Sequence, residues 1–152
     1  MTAHEHRASL NAVAFSATTH CLTGCAIGEV LGMVIGTAAG LANGVTVAIS
    51  IALAFLFGYS LTSLPLLRSG LALASVVPLA LASDTISIAI MELVDNTLML
   101  AIPGAMDAGL GDVRFWGSLA LSLGIAGAAA YPVNRWLIAR GRGHAVVHAH
   151  HG

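Results

Sequence analysis

The chain of 152 residues is 57 % hydrophobic and only 9 % charged, with a formal net charge of −1. A soluble domain carries about 25 % charged residues, so this composition excludes an ordinary soluble domain and predicts a single integral membrane domain. The sequence contains six arginines and no lysine. The arginines form no basic stripe of the kind that binds nucleic acid.

The first predicted element is an apolar span over about 17–41, which follows a polar N-terminus formed by residues 1–16. A turn at 42–44 closes this span. Cys21 and Cys25 lie four residues apart within it, so they would share one helix and are poorly placed to form a disulfide. We therefore expect both side chains to be free thiols.

The second predicted span covers about 45–67 and is the most uniformly apolar part of the chain. Between Gly44 and Leu67, Tyr59 is the only ionisable residue. This length matches the roughly 20 residues that a helix needs to cross the hydrocarbon core of a bilayer. Residues 68–70 end the span.

The next segment, from Leu71 to Pro103, is too long for one span, because as a single helix it would measure about 50 Å. Pro78 removes a helical hydrogen-bond donor and disfavours helix just before it. We therefore predict a short interfacial helix over 71–77 and a third membrane span over 79–102.

An acidic loop at 104–113 leads to the fourth predicted span, about 114–138, which has aromatic residues near both ends, as membrane interfaces favour. The chain then ends in a histidine-rich tail, 139–152. The predicted fold is thus all-α. It is a polytopic helical bundle with four transmembrane helices and a short interfacial helix, in which 17–138 form the membrane domain.

The arginines predict the orientation of the bundle. Arg7 precedes the first span, Arg68 lies between the second and third, and Arg135, Arg140 and Arg142 lie at or after the end of the fourth. The connection between the third and fourth spans instead carries more aspartate than arginine. The positive-inside bias therefore predicts that both termini are cytoplasmic.

Glycine recurs at every fourth residue along the first span. This spacing forms a groove that lets another backbone approach closely. We expect the groove to pack a helix of the same chain, or to join copies of the chain or partner membrane subunits. A role in lining a substrate path is the alternative. The glycines are Gly24, Gly28, Gly32, Gly36 and Gly40.

A second row at the same spacing combines side chains that bind metals. Cys21, Cys25, Glu29 and Met33 are neighbours on one helix face, and His20 adjoins the start of the row. Sulfur ligands suit Cu(I), zinc and iron–sulfur centres, and imidazole suits zinc, copper and iron. The row therefore indicates a transition-metal site, with plain core packing of the sulfur side chains as the alternative.

The third span carries a complementary acidic row. Asp84, Glu92 and Asp95 fall within roughly 80° of one another around a helix, and Met99 flanks them. An acidic side chain at the centre of a bilayer costs about 2.5–3.5 kcal/mol on insertion scales. The row is therefore expected to hold protons, which a carboxyl cluster shares, or a metal cation.

The two rows are expected to face each other, since the first and third spans run in the same direction through the membrane. Counted along the helices, Asp84 should lie level with Cys25, and Glu92 level with Glu29 and Met33. The side chains of the two rows would then face each other across a polar seam between the spans.

The C-terminal tail adds a further group of metal-binding side chains, which would collect ions loosely. A solvated tail that holds no ion is the alternative. The histidines are His144, His148, His150 and His151.

Three segments resemble the signatures of a bacterial family of small membrane proteins that is catalogued as a domain of unknown function. The resemblance covers about residues 17–151. It implies a bacterial inner-membrane protein with several helices, and the association of some relatives with copper-handling proteins implies a link to copper. The segments are HCLTGCAIGEVLGMVIG, ASDTISIAIMELVDN and PVNRWLIARGRGHAVVHAHH.

Three functions are open on the sequence alone. The first is binding or transport of a metal ion, with copper before zinc or iron. The second is a structural or assembly subunit of a larger membrane complex, and the third is a proton relay through the acidic side chains of the spans. An enzyme has the least support, because the sequence has no phosphate-binding loop, nucleophile elbow, HExxH or CxxC motif.

Overall fold

The computed structural model describes residues 2–140, apart from the side chains of residues 6–8, and over this range the chain forms four helices joined by connections without strands. Each helix is long and apolar enough to cross a membrane. The predicted all-α membrane bundle is therefore confirmed. The helices are α1 (Ala3–Ala38), α2 (Asn43–Arg68), α3 (Leu73–Ala101) and α4 (Val113–Ala139).

Helix α1 begins much earlier than the span that hydropathy predicts. Thr2 and Glu5 form a capping box, in which the Glu5 amide donates to the Thr2 hydroxyl and the Thr2 amide donates to the Glu5 carboxylate at 2.7 Å. This cap satisfies amides that the start of a helix leaves without partners. The polar residues from Ala3 onward therefore continue the first membrane helix.

Helix α3 runs without interruption through Pro78, so the predicted interfacial helix over 71–77 is wrong. Pro78 is the sixth residue of α3, and the first four amides of any helix lack an intrahelical acceptor. The proline therefore removes a single backbone hydrogen bond, to the carbonyl of Ala74, close to the helix start. At about 43 Å, α3 exceeds the hydrocarbon thickness of about 30 Å, which a helix accommodates by tilting or by extending past the core.

Helices α1 and α3 form the centre of the bundle, because each of them contacts all three other helices. Helices α2 and α4 contact this central pair but not each other. Successive helices alternate in direction, so α1 and α3 run the same way, as predicted. The seam between α1 and α3 is thus the innermost part of the bundle, with α2 and α4 flanking it.

The glycine row of α1 packs against α2 of the same chain. A Cβ atom at Gly24, Gly28, Gly32 or Gly36 would overlap α2, whereas Gly40 has open space and a positive φ of 65° just after the helix. The expectation that this face joins copies or partner subunits is therefore wrong for the first four glycines, because α2 already covers them. The α2 residues that fill the row are Gly58, Ala54, Ser50 and Thr46.

The outward faces of the helices are apolar, and α4 carries a tryptophan near each end. Leu93, for example, is 70 % exposed although it lies in the middle of α3. At one end of α4 the Trp116 indole donates to the Leu110 carbonyl at 2.7 Å. At the other end the Arg140 guanidinium lies 4.6 Å from the Trp136 ring centre. This surface suits contact with lipid, with amphipathic rings at both interfaces.

Candidate functional site

Three buried carboxyl groups meet in the α1–α3 seam. Glu29 on α1 interacts with both Asp95 and Glu92 on α3. Glu29 and Asp95 have no exposed surface, and Glu92 is only 3 % exposed. The two acidic rows therefore face each other at this level, as the sequence led us to expect.

The Cys25 thiol joins these carboxyl groups, because it lies within hydrogen-bonding reach of Glu92. One turn of α1 separates Cys25 from Glu29, so both side chains lie on the same helix face. Asn96 donates to Oε2 of Glu92 at 3.2 Å and to the Glu92 backbone carbonyl at 2.9 Å, which holds this carboxyl group in place. Cys25, Glu29, Glu92 and Asp95 together form the carboxyl–thiol centre.

Most carboxyl oxygens of this centre lack a hydrogen-bond donor. Both oxygens of Glu29, both of Asp95 and Oε1 of Glu92 are buried and receive no hydrogen bond from an amide, hydroxyl or cationic group in the part of the chain that the structure describes. A buried polar group without a partner costs about 1–3 kcal/mol, and a charged one costs more. These carboxyl groups can satisfy one another only through shared protons, or through a bound cation.

The described arginines lie near the helix ends, away from this centre. Arg68 is the last residue of α2, Arg114 lies in the first turn of α4, and Arg135 and Arg140 lie at the other end of α4. The interactions of Glu29 involve acidic side chains and no arginine. The centre therefore has no arginine as a counter-charge.

The second cysteine lies one turn closer to the termini. Its sulfur, Cys21 Sγ, lies 3.8 Å from Oδ1 of Asp84. The half-buried His20 contacts α2 at this level, where its Nε2 lies 3.2 Å from the Thr62 hydroxyl. Cys21 and Cys25 are both thiols that form no disulfide, as predicted. Cys21 and His20 of the α1 row thus lie at a different level of the seam from Cys25 and Glu29.

The predicted register of the two rows is confirmed at Glu29, which meets Glu92, but it is wrong by about one turn at the two cysteines. The sequence count placed Asp84 level with Cys25, but Asp84 lies beside Cys21, and Cys25 lies beside Glu92. That count began at the presumed start of each span. The levels depend instead on how α1 and α3 pack against each other, which a count along the chain does not include.

Two methionines form the next level, beyond the carboxyl–thiol centre. Met33 follows Glu29 by one turn of α1, and Met99 follows Asp95 by one turn of α3. Both methionines are buried in one apolar cluster, which also contains Phe115 of α4. The prediction that Met33 lies level with Glu92 is therefore wrong, again by one turn.

Metal coordination is not preformed in this part of the molecule. Within residues 2–140, no group of three or more histidine, cysteine, aspartate or glutamate side chains is arranged to hold a metal ion. An ion at the carboxyl–thiol centre would therefore have to draw its donors together. The predicted metal-binding histidines of the tail, His144, His148, His150 and His151, lie outside the described residues.

Sequence reasoning missed several polar residues of the bundle interior, among them Asn96, Ser50 and Ser122. Asn96 donates to Glu92 and orients it. The sequence does indicate this contact, because Asn96 follows Glu92 by four residues and therefore lies on the same face of α3. Ser50 on α2 packs against Gly32, and Ser122 lies inside on α4, each with a buried hydroxyl that has no partner among the described residues. The serines gave no usable signal, because small polar residues are common wherever membrane helices pack.

The chain was also compared with known proteins. The family described as "Domain of unknown function (DUF4396)" matches residues 11–143, which include most of α1, all of the other three helices and the whole carboxyl–thiol centre. No curated protein and no solved structure shows a significant match to the chain. The family match agrees with the resemblance seen in the sequence, and the chain therefore belongs to the DUF4396 family of domains of unknown function.

Proposed function

We propose that this membrane protein binds a transition-metal cation at the carboxyl–thiol centre and takes part in the transport or handling of that ion. The observation that carries the proposal is the convergence of three carboxyl groups and one thiol in a buried seam that no described arginine side chain enters. A cation is the simplest group that would satisfy the unpartnered oxygens of Glu29 and Asp95 together.

The donor set bears on which ion is bound. A thiolate suits Cu(I), zinc and iron, whereas carboxylates suit harder divalent ions. Zinc accepts both cysteine sulfur and carboxylate oxygen as ligands. The three carboxyl groups of this centre therefore support zinc or iron(II) ahead of copper, which the sequence placed first. Copper fits the sulfur-rich parts of the seam better, at Met33 and Met99.

Elemental analysis of the detergent-purified protein tests the proposal. We expect about one zinc or iron ion for each chain, and a loss of at least tenfold in bound metal in Cys25→Ser. The matched control is Cys21→Ser, since Cys21 lies beside Asp84, at the level next to the carboxyl–thiol centre. Unsubstituted protein that holds no zinc, iron or copper after incubation with each would remove the proposal.

A second candidate function is a proton relay, and one observation favours it. Glu29 interacts with Asp95 and Glu92 without a donor group between them, which is the arrangement of carboxyl groups that share protons. In proteoliposomes a relay would give proton flux that vanishes in Glu92→Gln and persists in Cys25→Ser. If the centre binds a metal instead, Cys25→Ser should lose the bound ion. The effect of Cys25→Ser therefore separates the two functions.

We propose that the protein resides in a bacterial inner membrane with both termini in the cytoplasm. The arginines near the ends of α2 and α4 support this orientation, since Arg68, Arg135 and Arg140 all lie at the end of the bundle that carries the termini. The opposite end carries Asp107 and Asp112 with Arg114.

We also propose that the functional unit is a homo-oligomer, because four helices form a small unit for a transporter. The contact would use the lipid-facing apolar faces of the helices rather than the glycine row, which α2 covers. Chemical cross-linking in native membranes tests this, with a single band at the mass of the monomer as the contradicting result.

A further inference from the structure

A cavity of about 260 Å³ opens at the end of the bundle opposite the termini. It lies where the α1–α2 turn meets the α3–α4 connection, and its wall includes Met33, Thr37, Asn43, Met106 and Asp107. A cavity of this size admits several water molecules, each of which occupies about 30 Å³ in the liquid. It is therefore large enough to hold water at this end of the bundle.

The base of this cavity lies directly beyond the carboxyl–thiol centre. Met33 lines the cavity and is also one helical turn from Glu29. Met99 packs in the same buried cluster as Met33, one turn from Asp95. The two thioethers thus form a layer, one turn deep, between the cavity and the buried carboxyl groups.

The rim of the cavity carries a negative charge. Asp107 lines the cavity and is exposed to solvent, so its carboxylate raises the local concentration of cations at the mouth. Asn43, at the start of α2, adds an amide to the wall. An acidic mouth, a soft thioether layer and a carboxyl–thiol centre therefore follow one another along the bundle axis.

We propose that this cavity is the vestibule through which the metal cation enters and leaves the carboxyl–thiol centre, with Met33 and Met99 forming the constriction between them. The inference rests on the proposed function and adds to it the route of the ion. The route opens at the end of the bundle where the aspartates lie, opposite the arginine-rich end.

Filling the vestibule tests this route. Thr37→Trp places an indole in the cavity, and Ala38→Trp is the matched control, because Ala38 is exposed and does not line the cavity. With Zn²⁺ as the probe and purified unsubstituted protein as the reference, stopped-flow mixing measures the association and dissociation rates. We expect Thr37→Trp to slow both rates at least tenfold and to leave Kd within twofold, because a blocked entrance changes no ligand.

Removing the charge at the rim provides a second test that does not alter packing. Asp107→Asn is expected to slow Zn²⁺ association about threefold at low salt and less at high salt, since the attraction is electrostatic. Asp112→Asn is the control, because Asp112 does not line the cavity and asparagine caps α4 as well as aspartate does. The control should leave the rate unchanged.

The outcomes distinguish the route from the site. Unchanged rates in both Thr37→Trp and Asp107→Asn, with Zn²⁺ still bound, would overturn the vestibule and leave the carboxyl–thiol centre in place. A raised Kd with an unchanged association rate would also overturn it, because the altered residue would then be a ligand. Failure of the unsubstituted protein to bind Zn²⁺, iron or copper would remove the proposed function and the route together.

Discussion

Glu29 shows how strongly a single residue is constrained in this seam. Its side chain has no exposed surface, neither carboxyl oxygen receives a hydrogen bond from a donor group of the described residues, and its neighbours Asp95 and Glu92 are also acidic. Such an arrangement costs stability unless a proton or a metal ion joins the oxygens. The residue is therefore better explained by a shared proton or a bound cation than by packing alone.

Replacing this carboxyl group should separate stability from binding. In metal-free Glu29→Gln the new amide can donate to Asp95, so we expect the free energy of unfolding to rise by about 1–3 kcal/mol over that of the metal-free unsubstituted protein. Zinc affinity should fall at least tenfold, because the amide is a weaker ligand than a carboxylate. Thermal unfolding in detergent and calorimetric zinc titration measure the two effects.

The control for this variant is Glu5→Gln, which also removes one carboxylate. Glutamine can complete the capping box with Thr2 as glutamate does, so neither quantity should change. Loss of stability in Glu29→Gln without loss of zinc binding would contradict the role assigned to Glu29.

Individual site residues could be predicted from spacing, but their partners could not. The four-residue spacing of Cys21, Cys25 and Glu29 fixes a common helix face in any α-helix. The pairing of Cys25 with Glu92 depends on the axial offset between α1 and α3, which differs by one turn from a count along the sequence. Local periodicity contains no information about that offset.

At the scale of the helices, the α1–α2 contact depends on the absence of side chains. A Cβ atom at Gly28 would overlap the backbone of Ala54, which cannot move without displacing α2. Gly124 on α4, in contrast, is exposed and has open space around a Cβ atom. Gly28 is therefore needed for close helix packing, whereas Gly124 is not, although both lie inside helices.

This difference predicts opposite effects of the same substitution. Gly28→Ala should lower the free energy of unfolding by about 1–3 kcal/mol or more, since overpacking forces the helices apart. Gly124→Ala should raise it by as much as about 1 kcal/mol, because alanine is the better helix former. Thermal unfolding of the two purified variants checks the pair, and equal effects would show that α2 does not cover the glycine row.

Pro78 marks the point at which prediction of the elements failed. A proline disfavours helix at the preceding residue, and this preference predicted a break that α3 does not have. The position of the proline near the start of a long helix limits its cost to one backbone hydrogen bond. Within residues 73–77 only Val76 is buried, in a cluster with Leu66 of α2, and a local preference does not describe such a contact.

Alanine at this position should restore the lost hydrogen bond. Pro78→Ala provides an amide for the Ala74 carbonyl, and we expect the free energy of unfolding to rise by about 1–3 kcal/mol. Pro103→Ala, just beyond the end of α3, is the control and should give no such gain. A fall in thermal stability of Pro78→Ala would indicate that the chain needs a break there.

At the scale of the whole molecule, the even number of spans places the start of α1, the end of α4 and the α2–α3 turn at one end, and the other two connections at the opposite end. Hydropathy and length were sufficient to predict this arrangement, because every backbone polar group in lipid must be satisfied within a helix. The fold class could therefore be predicted from hydropathy and length. The cation or proton held in the α1–α3 seam could not be predicted in this way.

The orientation in the membrane gives a direct test of this arrangement. In a Cys21→Ser, Cys25→Ser background, a single cysteine at Ala39 should react with a membrane-impermeant thiol reagent added outside intact cells. A single cysteine at Ser69, in the α2–α3 turn, should react only after the cells are opened. The reverse pattern would place the termini and the arginine-rich end outside the cytoplasm.

The central claim, a cation held by the carboxyl–thiol centre, is tested most directly by X-ray absorption at the zinc edge of the loaded protein. The account predicts one sulfur neighbour at about 2.3 Å and oxygen neighbours at about 2.0–2.2 Å, with the sulfur lost in Cys25→Ser and retained in Cys21→Ser. A first shell without sulfur, or one in which Cys21→Ser removes the sulfur, would contradict it.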